Sequence, residues 1–431
     1  MTTARVEPAT RVSGTVAVPG DKSISHRALL LGALARGRSY VGNLSPADDV
    51  ARTAACLAAC GAGVRPFGED RALCEGAGTG RSLQSPTAAL DCGNSGTTMR
   101  LLAGVLAHHD LEAVLDGDAS LRRRPMRRVA GPLTAMGAVV TTAEGGTAPL
   151  TVRGRRPLHG GEHDLPVASA QLASAILFAG LGADGPVTVR LPAPARDHTE
   201  RMFRMCGIDV AAVDGGTRIT PGSPEPFGLR IPGDLSSAAF LLALAAAIPG
   251  GDVTCTGVTL NPGRTGILEV LAAMGAEVTV EEGVDAGGHE PTGDVRVRAG
   301  ALTAVRIGDA LVPRLLDELP VLAVLATQCD GVTEISGAAE LRVKESDRIA
   351  TVVAGLRAFG ADVEERPDGM VIQGRVRLHA ARVDAAGDHR LAMAWAVAGS
   401  LAAGGPTAID GAECVAVSWP SFFADLASVA G

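Results

Sequence analysis

Aromatic side chains are scarce in this sequence: one tyrosine, two tryptophans and eight phenylalanines stand among 431 residues. A surface on which successive bases stack needs many rings, so an extended single-strand nucleic-acid platform is excluded. Excess positive charge is lacking too. The net charge is -8 and the pI near 5.6, which argues against nonspecific nucleic-acid or membrane-surface binding but leaves room for a local cationic pocket. The longest apolar stretch, around "AAFLLALAAAIPG", is too short to cross a bilayer. The opening "MTTARVEPATRVSG" carries no apolar segment of the signal-peptide kind. The eight cysteines form no C-x-x-C, and Cys56 and Cys60, one helical turn apart, read as helix packing. These absences together predict a protein of the reducing cytoplasm with no nucleic-acid or membrane partner.

What is present is small and repetitive. Fifty-five glycines and a predominance of Ala, Val and Leu describe closely packed elements joined by tight turns, in a chain long enough for two or three domains. "LAACGAGV", "LTAMGAVV", "FRMCGIDV", "LAAMGAEV" and "LRAFGADV" recur, with Gly61, Gly137, Gly207, Gly275 and Gly360 roughly 70 to 85 residues apart. Each reads as an amphipathic helix ending at a glycine and followed by a Val-rich strand. Small-residue helices with polar openings alternate with these: "GDKSISHR", "GNSGTTMR", "VASAQ", "GDLSSAAF", "LDELP" and "GDHRLAMA". About six strand–helix–strand–helix units result, three in each half, and "VPGDKSISHRALLLGALARG" is echoed by "IPGDLSSAAFLLALAAAIPGG". The expected fold is α/β with two similar domains, residues 19–231 and residues 1–18 plus 232–431. Their crossings at Pro19 and Pro232 form a paired hinge. If the six polar-opened helices aim their N-termini at the cleft between domains, their dipoles make an acidic protein locally cationic there.

Several openings could carry chemistry. "PGDKSISHR" is not a phosphate-cradling P-loop, because Asp21 separates Gly20 from Lys22. It still offers free helix N–H groups with Lys22, Ser23 and Arg27 for an anion, or an ordinary capped helix end. "GNSGTTMR" sets Gly96 among amide and hydroxyl groups, where a ligand could approach the backbone. In "SLRRRPMRR", Arg124 precedes a proline and is biased away from helix. Ser169 and Gln171 open "VASAQ", and N-capping explains the serine equally well. Arg196, His198 and Glu200 lie in "RDHTE". In "LRVKESDRI", Lys344 and Arg348 are spaced by one turn with Glu345 between them, a pattern that on a helix surface is an ion pair worth about 0.2–0.5 kcal/mol. Asp317 and Glu318 precede Pro320, where acids are common for dipole reasons, and "GDHR" offers His389 and Arg390. "HGGEH", His159 to His163, spells H-x-x-E-H, but its paired glycines make a poor ligand-bearing helix and no metal is expected.

Taken in order, "PGDKSISHRALLLGAL", "GNSGTTMRLLAG", "RRPM", "SAQ", "RDHTE", "LRVKESDRI" and "DHRLAMA" closely resemble the 5-enolpyruvylshikimate-3-phosphate synthase family along nearly the whole chain. The resemblance implies two domains of three βαβαββ units each, an inside-out α/β barrel of the enolpyruvyl transferase type. It also implies transfer of the enolpyruvyl group of phosphoenolpyruvate to the 5-hydroxyl of shikimate 3-phosphate, with release of phosphate. By matched motif, Ser23, Arg27, Ser169, Gln171 and Arg196 would hold shikimate 3-phosphate together with Asp317 and Lys344. Lys22 would serve both substrates and the catalysis, and Gly96, Arg124, Gln171, Arg348 and Arg390 would contact phosphoenolpyruvate. Asp317 would be the base, Glu345 the acid, and Lys344 would steady the hydroxyl oxygen. No cofactor is implied, and a monomer is expected.

Three positions depart from one branch of the family: "SAQLA" lacks a lysine two residues after the glutamine, Gly263 stands where threonine is usual, and Val417 where some members carry lysine. They bear on subclass and on affinity for the herbicide glyphosate. Two rivals are an enolpyruvyl transferase acting on UDP-N-acetylglucosamine and a non-catalytic phosphometabolite-binding protein. The first resembles Lys-Asn rather than Lys22-Ser23 and carries a loop cysteine absent from "DGDASLRRRPM". The presence of both Asp317 and Glu345 argues against the second.

Overall fold

The computed structural model describes residues 2–68, 70–79, 83–283 and 290–431. The chain forms two compact units, a first centred on Gly20–Ile231 and a second built from Met1–Pro19, Pro232–Val284 and Pro291–Gly431.

In the first unit three four-stranded sheets share one plan. Strands Gly228–Arg230 and Arg36–Gly42 run parallel, and Arg71–Ala77 and Gly63–Phe67 add an antiparallel hairpin. Leu90–Asp91, Glu112–Asp116, Leu150–Arg153 and Val139–Thr142 repeat the order. So do Gly161–Asp164, Val187–Arg190, Gly216–Ile219 and Val210–Val213. The second unit has two such sheets and a third of three strands, Thr3–Val6, Thr407–Asp410 and Arg382–Asp384. Six βαβαββ repeats, three per unit, are thus the fold that the recurring segments imply. The sixth departs from the plan: the antiparallel partner of Thr407–Asp410 is the strand Thr3–Val6, and the helix Phe422–Val429 follows in sequence.

The helix that leads into the second strand of each parallel pair is buried along almost its whole length: Lys22–Leu34, Gly96–Ala107 and Ala170–Gly180 in the first unit, Leu235–Ala247, Leu319–Ala326 and His389–Leu401 in the second. In the second unit these three helices pack on one another. Such contacts require small residues: a Cβ on Gly104 would lie 2.0 Å from the Ala175 carbonyl oxygen of the neighbouring helix. The other helices are half-buried. Asp48–Ala59, Arg127–Ala135, His198–Met205, Gly266–Ala273 and Arg348–Ala358 end just before Gly61, Gly137, Gly207, Gly275 and Gly360, each of which has a positive φ. The repeated glycine is therefore a left-handed helix stop.

Candidate active site

All six polar openings begin buried helices. Asp21, Ser95, Ser169, Asp234 and Asp388 cap theirs with a side-chain oxygen that accepts a backbone N–H of the first turn. The sixth N-cap, Glu318, makes no such bond.

In the first unit Lys22 is the first helical residue and its Nζ donates to Asp49 Oδ2 at 3.0 Å. One turn on, Arg27 is 2% exposed. It donates from Nε to Thr199 Oγ1, from Nη1 to the Ser23 carbonyl and from Nη2 to Ser174 Oγ. Burial brings its pKa down to about 10 against the pull of the Glu200 and Asp21 carboxylates, and Arg196 nearby lowers it further. Burial also raises Glu200 above the usual carboxylate range. His26 is held well below its ordinary value by burial and by the cations Lys22 and Arg27, so it is neutral at pH 7.

A second group lies at the start of Gly96–Ala107. Gln171 accepts from Arg100 Nη1 at 2.6 Å and donates to Thr97 Oγ1 at 2.9 Å, which fixes its amide orientation. Arg124, extended at φ -76° and ψ 144° as its proline neighbour requires, donates to Asn94 Oδ1 at 2.6 Å. Gly96 has an ordinary backbone, and a Cβ there would meet Arg100 Nη1 at 2.8 Å and Arg124 Nη1 at 3.2 Å. The two groups are tied together where the Thr98 hydroxyl meets the Asp49 carbonyl at 3.1 Å.

The second unit carries the acids. Arg348 is 1% exposed. It donates from Nε and Nη2 to the two oxygens of Asp388 at 2.7 and 3.2 Å and from Nη2 to Glu345 Oε2 at 2.7 Å, while its Nη1 lies 3.4 Å from Asp317 Oδ1. Burial works against its charge, but the carboxylates of Asp388, Glu345 and Asp317 outweigh it and raise its pKa above that of an ordinary arginine. Lys344 Nζ is 3.6 Å from Asp317 Oδ1, and Arg390 Nη1 donates to the Asp317 carbonyl at 3.3 Å. Two sequence readings are corrected here. Lys344 and Glu345 are not on a helix, because Arg348–Ala358 starts after the Asp347 cap. Nor is Arg348 half of a surface pair: it is buried, and besides nearby Glu345 it meets Asp388 and Asp317, both distant in sequence.

The expected ligand-contacting residues thus fall into two sets, Lys22, Ser23, Arg27, Gly96, Arg124, Ser169, Gln171 and Arg196 in the first unit, and Asp317, Lys344, Glu345, Arg348 and Arg390 in the second. Sequence reasoning missed the residues that hold them: Asp49, Ser174, Thr199 and Asp388. A signal existed for Asp388, since the Gly-Asp spelling before a helix repeats that of Asp21 and Asp234. In "HGGEH", Gly161–Asp164 is a strand and Glu162 pairs with Arg190. Among the described residues no group of three or more His, Cys, Asp or Glu side chains could hold a metal ion.

The family model of EPSP synthase (3-phosphoshikimate 1-carboxyvinyltransferase) matches residues 6–426. A 3-phosphoshikimate 1-carboxyvinyltransferase of Synechococcus sp. (strain WH7803) is 51% identical over 96% of this chain and 95% of its own. One from Roseiflexus sp. (strain RS-1) is 49% identical over 99% and 98%. Among solved structures, an EPSP synthase from Acinetobacter baumannii superposes with a TM-score of 0.88 at 39% identity, covering 100% of this chain and 98% of that one. The enolpyruvyl transferase NikO from Streptomyces tendae, 18% identical over 99% of this chain and 96% of its own, shares the fold at a TM-score of 0.76. With six repeats, capped helix starts bearing the expected cations, and this match along nearly its whole length, the chain belongs to the EPSP synthase family.

Proposed function

We propose that the protein transfers the enolpyruvyl group of phosphoenolpyruvate to the 5-hydroxyl of shikimate 3-phosphate and releases phosphate. The observation that carries the mechanism is that Asp317 and Glu345 face different terminal nitrogens of one buried guanidinium, that of Arg348. Two carboxylates held apart by a common cation can take different protonation roles.

In this reading Asp317 accepts the proton of the 5-hydroxyl as its oxygen attacks the central carbon of phosphoenolpyruvate, and Lys344 steadies that oxygen. Glu345 delivers a proton to the methylene carbon, which becomes a methyl group. Glu345, now a carboxylate, takes a proton back from that methyl as phosphate departs, which restores the double bond. Ser23, Arg27, Ser169, Gln171 and Arg196 grip the acceptor. Lys22, Arg124, Arg348 and Arg390 neutralise the phosphate and carboxylate of the donor, with Gly96 admitting it to the backbone. No cofactor enters the scheme. We place the protein in the cytoplasm as a monomer. Its eight cysteines are all unpaired, and no helix among the described residues is long and apolar enough to cross a membrane.

The test is to identify the product by proton and phosphorus magnetic resonance after mixing enzyme with both substrates. An enolpyruvyl ether at the 5-oxygen and free phosphate are expected in equal amounts. Asp317→Asn should lower kcat by about 100-fold or more while shikimate 3-phosphate still binds. Unchanged turnover in that variant removes Asp317 from the mechanism.

A further inference from the structure

Glu318 stands at the N-cap of Leu319–Ala326, where an acid ordinarily accepts a backbone N–H from its own helix. It does not, and its side chain is turned to neighbouring elements. The residue is 2% exposed. Its Oε1 accepts from the hydroxyl of Ser236 on the first turn of Leu235–Ala247. The oxygen of that hydroxyl in turn accepts from Arg264 Nη2 at 2.8 Å, and the same nitrogen donates to Asp234 Oδ1 at 2.6 Å. On the other side, Oε1 of Glu318 lies 4.0 Å from Arg390 Nη1. Burying a carboxylate is costly unless a cation compensates it, and Arg390 is within reach.

Arg390 itself sits between two acids. Its Nη1 is 4.0 Å from Glu318, its Nη2 is 4.0 Å from Asp317 Oδ2, and the Asp317 carbonyl accepts from Nη1. Were the Glu318 charge removed, the balance would tip and the guanidinium would be drawn onto Asp317. We propose that Glu318 is a positioning residue for Arg390: anchored by Ser236 and Arg264, its carboxylate holds the guanidinium off the Asp317 side chain and keeps it oriented for the anionic donor. The inference rests on the reading of Arg390 as a contact to phosphoenolpyruvate.

Glu318→Gln preserves size and the acceptor for Ser236 and removes only the charge. It should raise KM for phosphoenolpyruvate about 10-fold, equivalent to about 1.4 kcal/mol, with KM for shikimate 3-phosphate changed less than about twofold. Because the effect passes through Arg390, the same substitution in an Arg390→Lys background should add less than about twofold. Ser236→Ala, which removes the anchor and keeps the charge, should shift the same KM in the same direction by a smaller factor, and it carries the test if Glu318→Gln does not fold. Glu318→Asp should recover part of the loss. A donor KM unchanged by either substitution, equal losses for both substrates, or an undiminished effect in the Arg390→Lys background would each overturn the proposal. If Arg390→Lys alone leaves the donor KM unchanged, the underlying reading of Arg390 fails and the proposal falls with it. If Arg390→Lys raises that KM and Glu318→Gln does not, only the role of Glu318 is lost.

Discussion

At the scale of single residues, Arg27 shows how the fold sets the chemistry of a side chain. Three hydrogen bonds hold its guanidinium in one place, and burial brings its pKa down to about 10. Below that value it is protonated and available to a phosphate; above it the cation is lost. The dissociation constant of shikimate 3-phosphate should therefore be flat near neutral pH and rise by up to about tenfold per unit beyond pH ~10. In Arg27→Gln it should be weak throughout and lack that inflection. A wild-type affinity unchanged to pH ~11 would contradict this role. The motif "KSISHR" displays Lys22 and Arg27 because they share one helix. Their holders are not legible, since Asp49 is 27 positions from Lys22 and Ser174 is 147 from Arg27. The setting of Arg348 is illegible for the same reason: local spacing shows Glu345 but not Asp388, 40 positions away, and burial is invisible in a four-residue window.

The elements show the opposite balance. Helix stops were legible because each needs a left-handed residue, and Gly61, Gly137, Gly207, Gly275 and Gly360 supply one at a regular interval. Glycines inside helices carry no such mark, although two of them behave oppositely. A methyl on Gly104 would strike the Ala175 carbonyl at 2.0 Å, whereas one on Gly131, within Arg127–Ala135, would meet nothing within 4 Å. Gly104→Ala should push the two buried helices apart and lower unfolding free energy by about 1–3 kcal/mol or more, while Gly131→Ala should raise it by about 0.4–1 kcal/mol through helix propensity and unfolded-state entropy. Denaturant unfolding of both variants checks the pair. Equal effects would mean that packing does not constrain Gly104.

For the molecule as a whole, the alternation of buried and half-buried helices made the six-repeat α/β fold readable, since a helix apolar all round and one apolar on a single face leave different periods in the sequence. The sixth repeat was harder to read. Its outer strand comes from Thr3–Val6, about 400 residues from its partner strand Thr407–Asp410, and no local pattern announces a pairing at that separation. The family match over residues 6–426 makes acceptor identity the decisive question. Phosphate release should be followed after mixing the protein with phosphoenolpyruvate and either shikimate 3-phosphate, UDP-N-acetylglucosamine or no acceptor. Enolpyruvyl transfer to shikimate 3-phosphate predicts sustained, stoichiometric release with that acceptor alone; release only with the sugar nucleotide, or with none of the three mixtures, would contradict it.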